Sequence, residues 1–288
     1  MSDGESEQPE PYLQPPETLQ RGRGVREGTL SAPNIYESRA AYAGLRFRYR
    51  LYVPARYSAA RPAALTVFQD GSLYVGRAEA RFNSLLTFDN LIERGDLPVM
   101  LALFLDPGTP SGDYRHPRDR ALRSSQYDAL DDRYSRFLIE EAIPDLVTSR
   151  YHLIPNAEGW AVAGHSSGGI CAFTAAWHHP EKFSKVLTHN ASFVNIRGGH
   201  AYPELIRESP LKPLRVSLLS GRADSNNEYG CWFDANRAMA AALSAMGYRY
   251  RFRRGQGAHY PPLQSIADYP DALRWLWADF RLPHDAIA

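Results

Sequence analysis

Apolar and polar residues alternate along two segments of the chain. In residues 45–53, leucine, phenylalanine, tyrosine and valine alternate with Arg46, Arg48 and Arg50. A period of two predicts a strand with one buried and one solvated face, which is typical of antiparallel strands near a sheet edge. Residues 248–252 alternate aromatics with arginines in the same way and predict a late strand nearer the opposite edge.

Between these two segments lie five short, almost continuously apolar segments, as expected of strands covered on both faces. The strands are predicted at residues 64–68, 99–105, 160–163, 185–188 and 214–219, and the helices at 81–94, 132–150, 168–179, 235–246 and 271–280. Pro144 should kink or split its helix, because proline lacks the N–H that a helix interior needs. Strands alternating with helices favour an α/β fold with a mostly parallel central sheet, antiparallel edge strands and helices on both faces.

Composition separates a leader from the rest of the 288-residue chain. Residues 1–30 are rich in acidic residues and proline, so they bury too little apolar area to offset the entropy of ordering. We expect a flexible or surface-draped leader there. Residues 31–288 are expected to form a single domain, and a hydrophobic content of 44% is enough for a substantial core.

Charge and hydropathy argue against several classes of partner. The formal net charge of +1 gives no reason to expect a nucleic-acid or anionic-membrane partner. No apolar run approaches the roughly 20 residues that span a bilayer, and the N-terminus lacks the basic and apolar regions of a secretory signal. Two cysteines, Cys171 and Cys231, do not indicate a disulfide scaffold. A soluble, cytoplasmic protein is therefore expected, and its oligomeric state, a homo-oligomer included, is left open.

The segment 164–168, G-H-S-S-G, follows the strand predicted at 160–163 and opens a helix. It fits the G-x-S-x-G nucleophile elbow, in which glycines allow backbone segments to approach closely in a strained turn. Ser166 is then the exposed nucleophile, since centring the pattern on Ser167 would put His165 where a glycine is required. The competing interpretation is a glycine-rich turn with a capping serine.

A serine nucleophile needs a histidine base and an acid that orients the base. In this strand order the acid and then the histidine follow the serine, each in a loop after a later strand. Asp224 follows the fifth apolar strand, and His259 follows the last strand. Glu228 and Asp234 lie on the same loop as Asp224 and remain alternatives for the acid. His259 is preferred among nine histidines because the others lie in or beside helices, in the elbow or after other strands.

Backbone N–H groups should stabilise the oxyanion of the tetrahedral intermediate. One is expected at Ser167, directly after the nucleophile, and another in the loop 69–74, where Gly71 allows close approach. The sequence has no H-E-x-x-H pair or clustered metal ligands, no phosphate-binding loop and no dinucleotide fingerprint. Hydrolysis without a metal or cofactor is the chemistry that remains.

Six sequence blocks from about residue 45 onward carry a resemblance to a known family. They are V-F-Q-D-G, R-S-S-Q-Y-D-A-L-D-D-R-Y, A-G-H-S-S-G-G-I-C, F-S-K-V-L-T-H-N-A-S-F, G-Q-G-A-H and D-A-L-R-W-L-W. In this order they are similar to the Putative esterase family, in particular its enterochelin-esterase-like branch. That family also includes esterase D, the mycolyltransferases, and feruloyl and acetylxylan esterases.

The resemblance implies an α/β-hydrolase fold over residues 31–288 and carboxylic-ester hydrolysis by a serine triad. By position, Ser166 matches the family's nucleophile, Asp224 its acid and His259 its base. Ser72 matches the residue whose backbone N–H joins that of Ser167 in the oxyanion hole.

Two features of the resemblance leave roles open. Gln126 stands where the R-x-x-E-Y-D block has glutamate, so a binding role for a carboxylate does not carry over to it. Some relatives use a serine–histidine dyad, so the role of Asp224 is open as well.

The sequence therefore predicts a serine esterase that acts through an acyl-enzyme on a small-molecule ester. The branch suggests a siderophore or another bulky, aromatic ester. Asp70, Tyr74, Arg197 and Trp232 are the predicted substrate contacts, with Tyr229 also at the border of the pocket. An acyltransferase that uses the same residues and a non-catalytic binding homologue are the alternatives.

Overall fold

Strands and helices alternate along the chain in this computed structural model, which describes residues 3–76, 82–113 and 117–280. The strands are β1 (Gly4–Glu7), β2 (Thr29–Leu30), β3 (Asn34–Glu37), β4 (Arg46–Val53), β5 (Ala64–Gln69), β6 (Met100–Leu105), β7 (Trp160–His165), β8 (Lys185–His189), β9 (Arg215–Ala223), β10 (Asn226–Asn227), β11 (Gly230–Cys231) and β12 (Arg249–Ala258). The α-helices are α1 (Pro16–Leu19), α2 (Gly71–Val75), α3 (Ser84–Arg94), α4 (Pro117–Tyr127), α5 (Arg133–Arg136), α6 (Ser167–His178), α7 (Tyr202–Glu208), α8 (Trp232–Ala245) and α9 (Leu263–Trp277).

Ten strands of the described ranges form one sheet, in the order β1-β12-β9-β8-β7-β5-β6-β4-β2, with β3 also paired to β4. The strands from β1 to β6 in this order run parallel to one another. β4 is antiparallel to β6, and β2 and β3 are antiparallel to β4. The mostly parallel sheet, the antiparallel strands at one edge and the position of β12 near the other edge are as predicted.

Apolar side chains pack on both faces of the sheet, in two clusters. One cluster lies under α6 and α8 and includes Phe173 and Leu243. The other lies under α3 and α9 and includes Phe88 and Leu273. The central strands are covered on both sides, which explains their continuous apolar character.

Two prolines lie inside helical segments. The predicted helix at 132–150 is α5 followed by wider π-helical turns at Phe137–Ala142 and Pro144–Thr148; the wider turns already begin at Phe137, and helical geometry continues through Pro144 instead of splitting there as predicted. The closing helix α9 begins well before the predicted residue 271, because it accommodates Pro270, which is buried in the apolar layer. α3 begins at Ser84, and residue 81 of its predicted range lies outside the described residues.

Nowhere in residues 3–76, 82–113 and 117–280 is there a helix long and apolar enough to cross a membrane.

The leader, expected to be flexible or surface-draped, makes specific contacts with the domain. β1 pairs in parallel with β12, and two side chains of α3 bind the leader further along. Asp89 accepts hydrogen bonds from the Gly28 N–H at 2.8 Å and from Arg21 at 2.9 Å. Asn90 donates to the Gln20 carbonyl at 2.8 Å. Polar contacts therefore hold the leader on the domain. The expectation for the leader considered only the apolar area that it could bury, so it did not include these contacts.

Asp106 connects the end of β6 to the start of α2. Its Oδ1 accepts the backbone N–H of Ser72 at 2.9 Å, and its Oδ2 accepts the Ser72 hydroxyl at 2.5 Å. Burial raises the pKa of the Asp106 carboxyl to about 6, against the hydrogen bonds from Ser72, which lower it. The loop after β5 is therefore held by a buried acid that is costly to ionise.

We expect Asp89→Ala to lower the free energy of unfolding by about 3–5 kcal/mol, because it removes the partner of Arg21 and the acceptor of the buried Tyr52 hydroxyl. Glu37→Ala is the control, since its ion pair with Arg46 is half exposed and should contribute less than about 1 kcal/mol. Urea unfolding of both variants measures the difference. Equal losses would show that Asp89 does not anchor the leader.

Asp106→Asn should make stability less dependent on pH. Folding raises the pKa of this carboxyl to about 6, so the stabilisation from its protonated form is complete below about pH 4 and is lost as the pH rises through 6. The variant carries no charge at this position. Its free energy of unfolding, relative to the original protein, should therefore increase by about 1–3 kcal/mol from pH 4 to pH 8. Urea unfolding at both pH values tests this, and a constant difference would contradict it.

Candidate active site

Ser166 occupies a strained turn between β7 and α6. Its backbone has a positive φ, with φ 58° and ψ −126°, a conformation that costs a non-glycine residue about 1–3 kcal/mol. A Cβ on Gly164 would lie 2.0 Å from the carbonyl oxygen of Gly168, so only glycine fits there. This is the geometry of the nucleophile elbow, and it leaves Ser166 partly exposed at the carboxyl end of the sheet.

The structure brings Ser166, His259 and Asp224 together. His259 Nε2 lies 3.0 Å from Ser166 Oγ, and His259 Nδ1 lies 2.6 Å from Asp224 Oδ1. The three residues follow β7, β12 and β9, whose carboxyl ends lie at the same edge of the sheet. The imidazole therefore contacts the hydroxyl with one nitrogen and the carboxylate with the other, as a general base must.

The carboxylate of Asp224 is fully buried and receives hydrogen bonds at both oxygens. Oδ2 accepts Ser220 Oγ and Asn190 Nδ2, each at 2.6 Å, and Oδ1 also accepts the Ser225 N–H at 2.7 Å. These donors hold the acid in one orientation toward His259.

The two alternative acids, Glu228 and Asp234, are exposed, and within the described part of the chain neither forms an ion pair with His259; Asp234 pairs with Arg237 instead. Asn190 was not predicted to belong to the site, although it follows β8 and its position at the carboxyl end of that strand is the signal that could have identified it.

The two predicted oxyanion donors differ in their surroundings. Ser167 is the first residue of α6, where the first four N–H groups have no acceptor within the helix. The Ser72 N–H, in contrast, donates to Asp106 in this structure. The geometry therefore presents Ser167 as the better placed of the two.

Asp70 lies directly beside the elbow and is paired with an arginine that sequence reasoning missed. Arg123 of α4 donates to both Asp70 oxygens, at 2.9 and 2.6 Å. A Cβ on Gly168 would lie 2.9 Å from Asp70 Oδ2, so this ion pair packs against the start of α6. Asp70 is therefore held by a bidentate ion pair with Arg123.

Gln126 has a structural role. Its side-chain amide is buried, accepts the Gly108 N–H at 2.8 Å and donates to the Gly108 carbonyl at 2.7 Å. An ionised glutamate could accept the first hydrogen bond but could not donate the second. The glutamine is therefore matched to the backbone at this position.

The other predicted substrate contacts have different outcomes. Trp232 is buried beside His259, with its ring 6.0 Å from the His259 ring, and its ring N–H donates to Ser192 Oγ at 3.2 Å. Arg197 is exposed and donates to Ser124 of α4 at 3.3 Å. The prediction for Tyr74 is wrong, because this side chain is fully buried and stacks on Phe82 at 4.5 Å within the apolar cluster. The polar loop around Tyr74 suggested exposure, but α2 turns the ring into the core.

Two buried histidines lie close to the relay. The His165 ring is 4.9 Å from the His259 ring and is 1% exposed. Burial and the nearby His259 hold the pKa of His165 well below its usual value, so its ring is neutral. The carbonyl of His189 accepts the Ser166 N–H at 3.0 Å. Burial also lowers the pKa of His189, whose ring nitrogen Nε2 lies 3.7 Å from Asp268 Oδ2.

Comparison with solved structures shows the same fold. Enterobactin esterase from Shigella flexneri, in the presence of enterobactin, matches with a TM-score of 0.71 and 20% identity, over 92% of this chain and 62% of that chain. The CE1 ferulic acid esterase of Anaeromyces mucronatus, in complex with ferulic acid, matches with a TM-score of 0.69 and 14% identity, over 92% and 96% of the two chains. Our chain therefore spans less than two thirds of the enterobactin esterase.

Sequence comparison assigns the family. No curated protein matches the chain significantly. A sequence model of the family described as "Putative esterase" matches residues 41–250, which is most of the chain and includes the elbow and Asp224. The protein belongs to the Putative esterase family and has its α/β-hydrolase fold.

Proposed function

We propose that this protein is a serine esterase that hydrolyses a carboxylic ester through an acyl-enzyme. The observation that carries the proposal is the continuous hydrogen-bonded series from Ser166 Oγ through His259 to Asp224, with contacts of 3.0 and 2.6 Å. Membership of an esterase family supports the same chemistry. The serine attacks the ester carbonyl while His259 takes its proton, and His259 then returns the proton to the leaving alcohol.

Water completes the second half of the reaction. His259 removes a proton from water, which attacks the acyl-enzyme, and then gives that proton to Ser166 Oγ as the bond to the acyl group breaks and the acid leaves. Asp224 stabilises the imidazolium that forms on His259, and Ser220, Asn190 and the Ser225 N–H hold its oxygens in place for this role.

Ser167 is the first oxyanion donor in this proposal. Its N–H lies at the N-terminus of α6, where the helix dipole also favours negative charge. Ser72 can act as the second donor only when its N–H turns from the Asp106 carboxylate toward the substrate. A neutral Asp106 competes less strongly for that N–H, and burial already raises its pKa to about 6.

The surroundings of His259 favour an ester with an aromatic or otherwise bulky group. Tyr260, which is 61% exposed, lies 5.2 Å from the imidazole and offers an aromatic face to a substrate, whereas Trp232 lies 6.0 Å from it and is buried. Exposed aromatic faces bind planar groups by stacking and apolar burial. Two esterases of the same fold have structures with enterobactin and with ferulic acid. A comparison of catecholate, feruloyl, acetyl-sugar and short-chain acyl esters would identify the preferred acyl group.

Ser166→Ala should lower kcat/KM for a p-nitrophenyl ester by about 10⁴-fold or more, since no other group on the relay supplies the nucleophile. Thermal unfolding should show that the fold survives, because alanine removes only the hydroxyl. Ser149→Ala, which changes an exposed serine directly after the π-helical segment, is the matched control. Turnover by Ser166→Ala at the rate of the control would refute the proposal.

Asp224→Asn should lower kcat by about 10³–10⁴-fold, because asparagine cannot stabilise the imidazolium and favours the wrong imidazole tautomer. Glu228→Gln should leave kcat unchanged, since this side chain is exposed on the same loop. Steady-state kinetics of the two variants assign the acid. A loss of less than tenfold in Asp224→Asn would indicate a serine–histidine dyad.

A further inference from the structure

A bulge in β12 lies immediately before the catalytic histidine. β12 pairs with β9 in regular register as far as Gly255 opposite Gly221, and the pairing resumes at Ala258 opposite Ala223. β12 therefore contains one extra residue between these points. A bulge of this kind bends the strand and redirects the side chains that follow it, and the next residue is His259.

Side chains from outside the β12–β9 pair satisfy the backbone of the bulge. The Gln256 N–H donates to the hydroxyl of Tyr12 at 2.5 Å, and the Gly257 N–H donates to Gln264 Oε1 at 2.9 Å. The packing is close, since a Cβ on Gly255 would lie 2.4 Å from the Tyr12 hydroxyl. Gln264 belongs to α9, whereas Tyr12 belongs to the leader.

Charge complementarity holds the leader where Tyr12 can reach the bulge. β1 pairs with residues 251–254 of β12, and Glu5 and Glu7 form ion pairs with Arg254 and Arg222 at 3.2 and 2.7 Å. The Gln8 N–H extends this pairing by donating to the Arg254 carbonyl at 2.7 Å. The acidic composition of the leader thus matches the arginines along the edge of the sheet.

We infer that Tyr12 is a positioning residue for His259, an inference that rests on the proposed function. The Tyr12 hydroxyl holds the Gln256 backbone and keeps the bulge in one conformation. His259, three residues further on, is then kept within reach of both Ser166 Oγ and Asp224 Oδ1. The leader is therefore part of what makes the site productive, and loss of the hydroxyl should slow the chemical step without weakening substrate binding.

Tyr12→Phe tests this inference, because it keeps the ring and removes only the acceptor. We expect kcat for a p-nitrophenyl ester to fall by about 5- to 50-fold with KM unchanged. The rate of labelling by a small organophosphonate should fall by the same factor, since it also requires the Ser166–His259 relay. Exchange of the Gln256 amide hydrogen should become faster.

Tyr57→Phe is the matched control. Its hydroxyl also accepts a backbone N–H, from His152 at 2.8 Å, but at the amino ends of β5 and β7, away from the site. It should lose stability to a similar extent in thermal unfolding and keep the original kcat and labelling rate.

The outcomes separate this inference from the proposed function. If Tyr12→Phe keeps the original kcat and labelling rate while Ser166→Ala is inactive, the inference is overturned and the proposed function stands. Equal losses of kcat in Tyr12→Phe and Tyr57→Phe would overturn it too, because they would reflect general destabilisation. Activity retained in Ser166→Ala would overturn the proposed function itself.

Discussion

The hydrogen bond between His259 Nδ1 and Asp224 Oδ1 is the contact on which the rest of the site depends. The Asp224 side chain is fully excluded from solvent, and a buried carboxylate is costly unless donors satisfy its oxygens. The side-chain donors come from the ends of three neighbouring strands: Asn190 after β8, Ser220 in β9 and His259 after β12. The carboxylate is therefore stable only when these strands are in register, so that assembly of the sheet and completion of the site occur together.

The site also contains strain, which the surrounding packing offsets. Ser166 has a positive φ, and β7 and α6 approach so closely at the elbow that Gly164 cannot carry a side chain. Apolar clusters on both faces of the sheet hold β7 and α6 in place and stabilise this turn. Strain of this kind persists only where the surrounding structure determines the conformation.

Much of the fold follows from local sequence patterns, because strand and helix periods depend on neighbouring residues. The order of elbow, Asp224 and His259 along the chain likewise reflects the strand order. The contacts that sequence reasoning missed join distant segments: Arg123 with Asp70, Asp106 with Ser72, and Asp89 with the leader. A polar residue in such a contact looks like an ordinary surface residue in the sequence. Tyr74 shows the opposite case, an aromatic residue in a polar loop that turns into the core.

Arginines alternate with aromatic residues along β12. Such a pattern fits a strand face in contact with water, but it also fits a face covered by carboxylates. The alternation of these arginines with Tyr250 and Phe252 predicts a face in water, yet Arg251 is 5% exposed and pairs with the buried Asp268 of α9. Burial alone would raise the pKa of Asp268, but Arg251 lowers it to about 2, so the pair is ionised. One face of β12 is therefore apolar and the other is neutralised by carboxylates from α9 and the leader. His259 follows directly on this strand, whose polar face is an ionic layer and not a solvated surface.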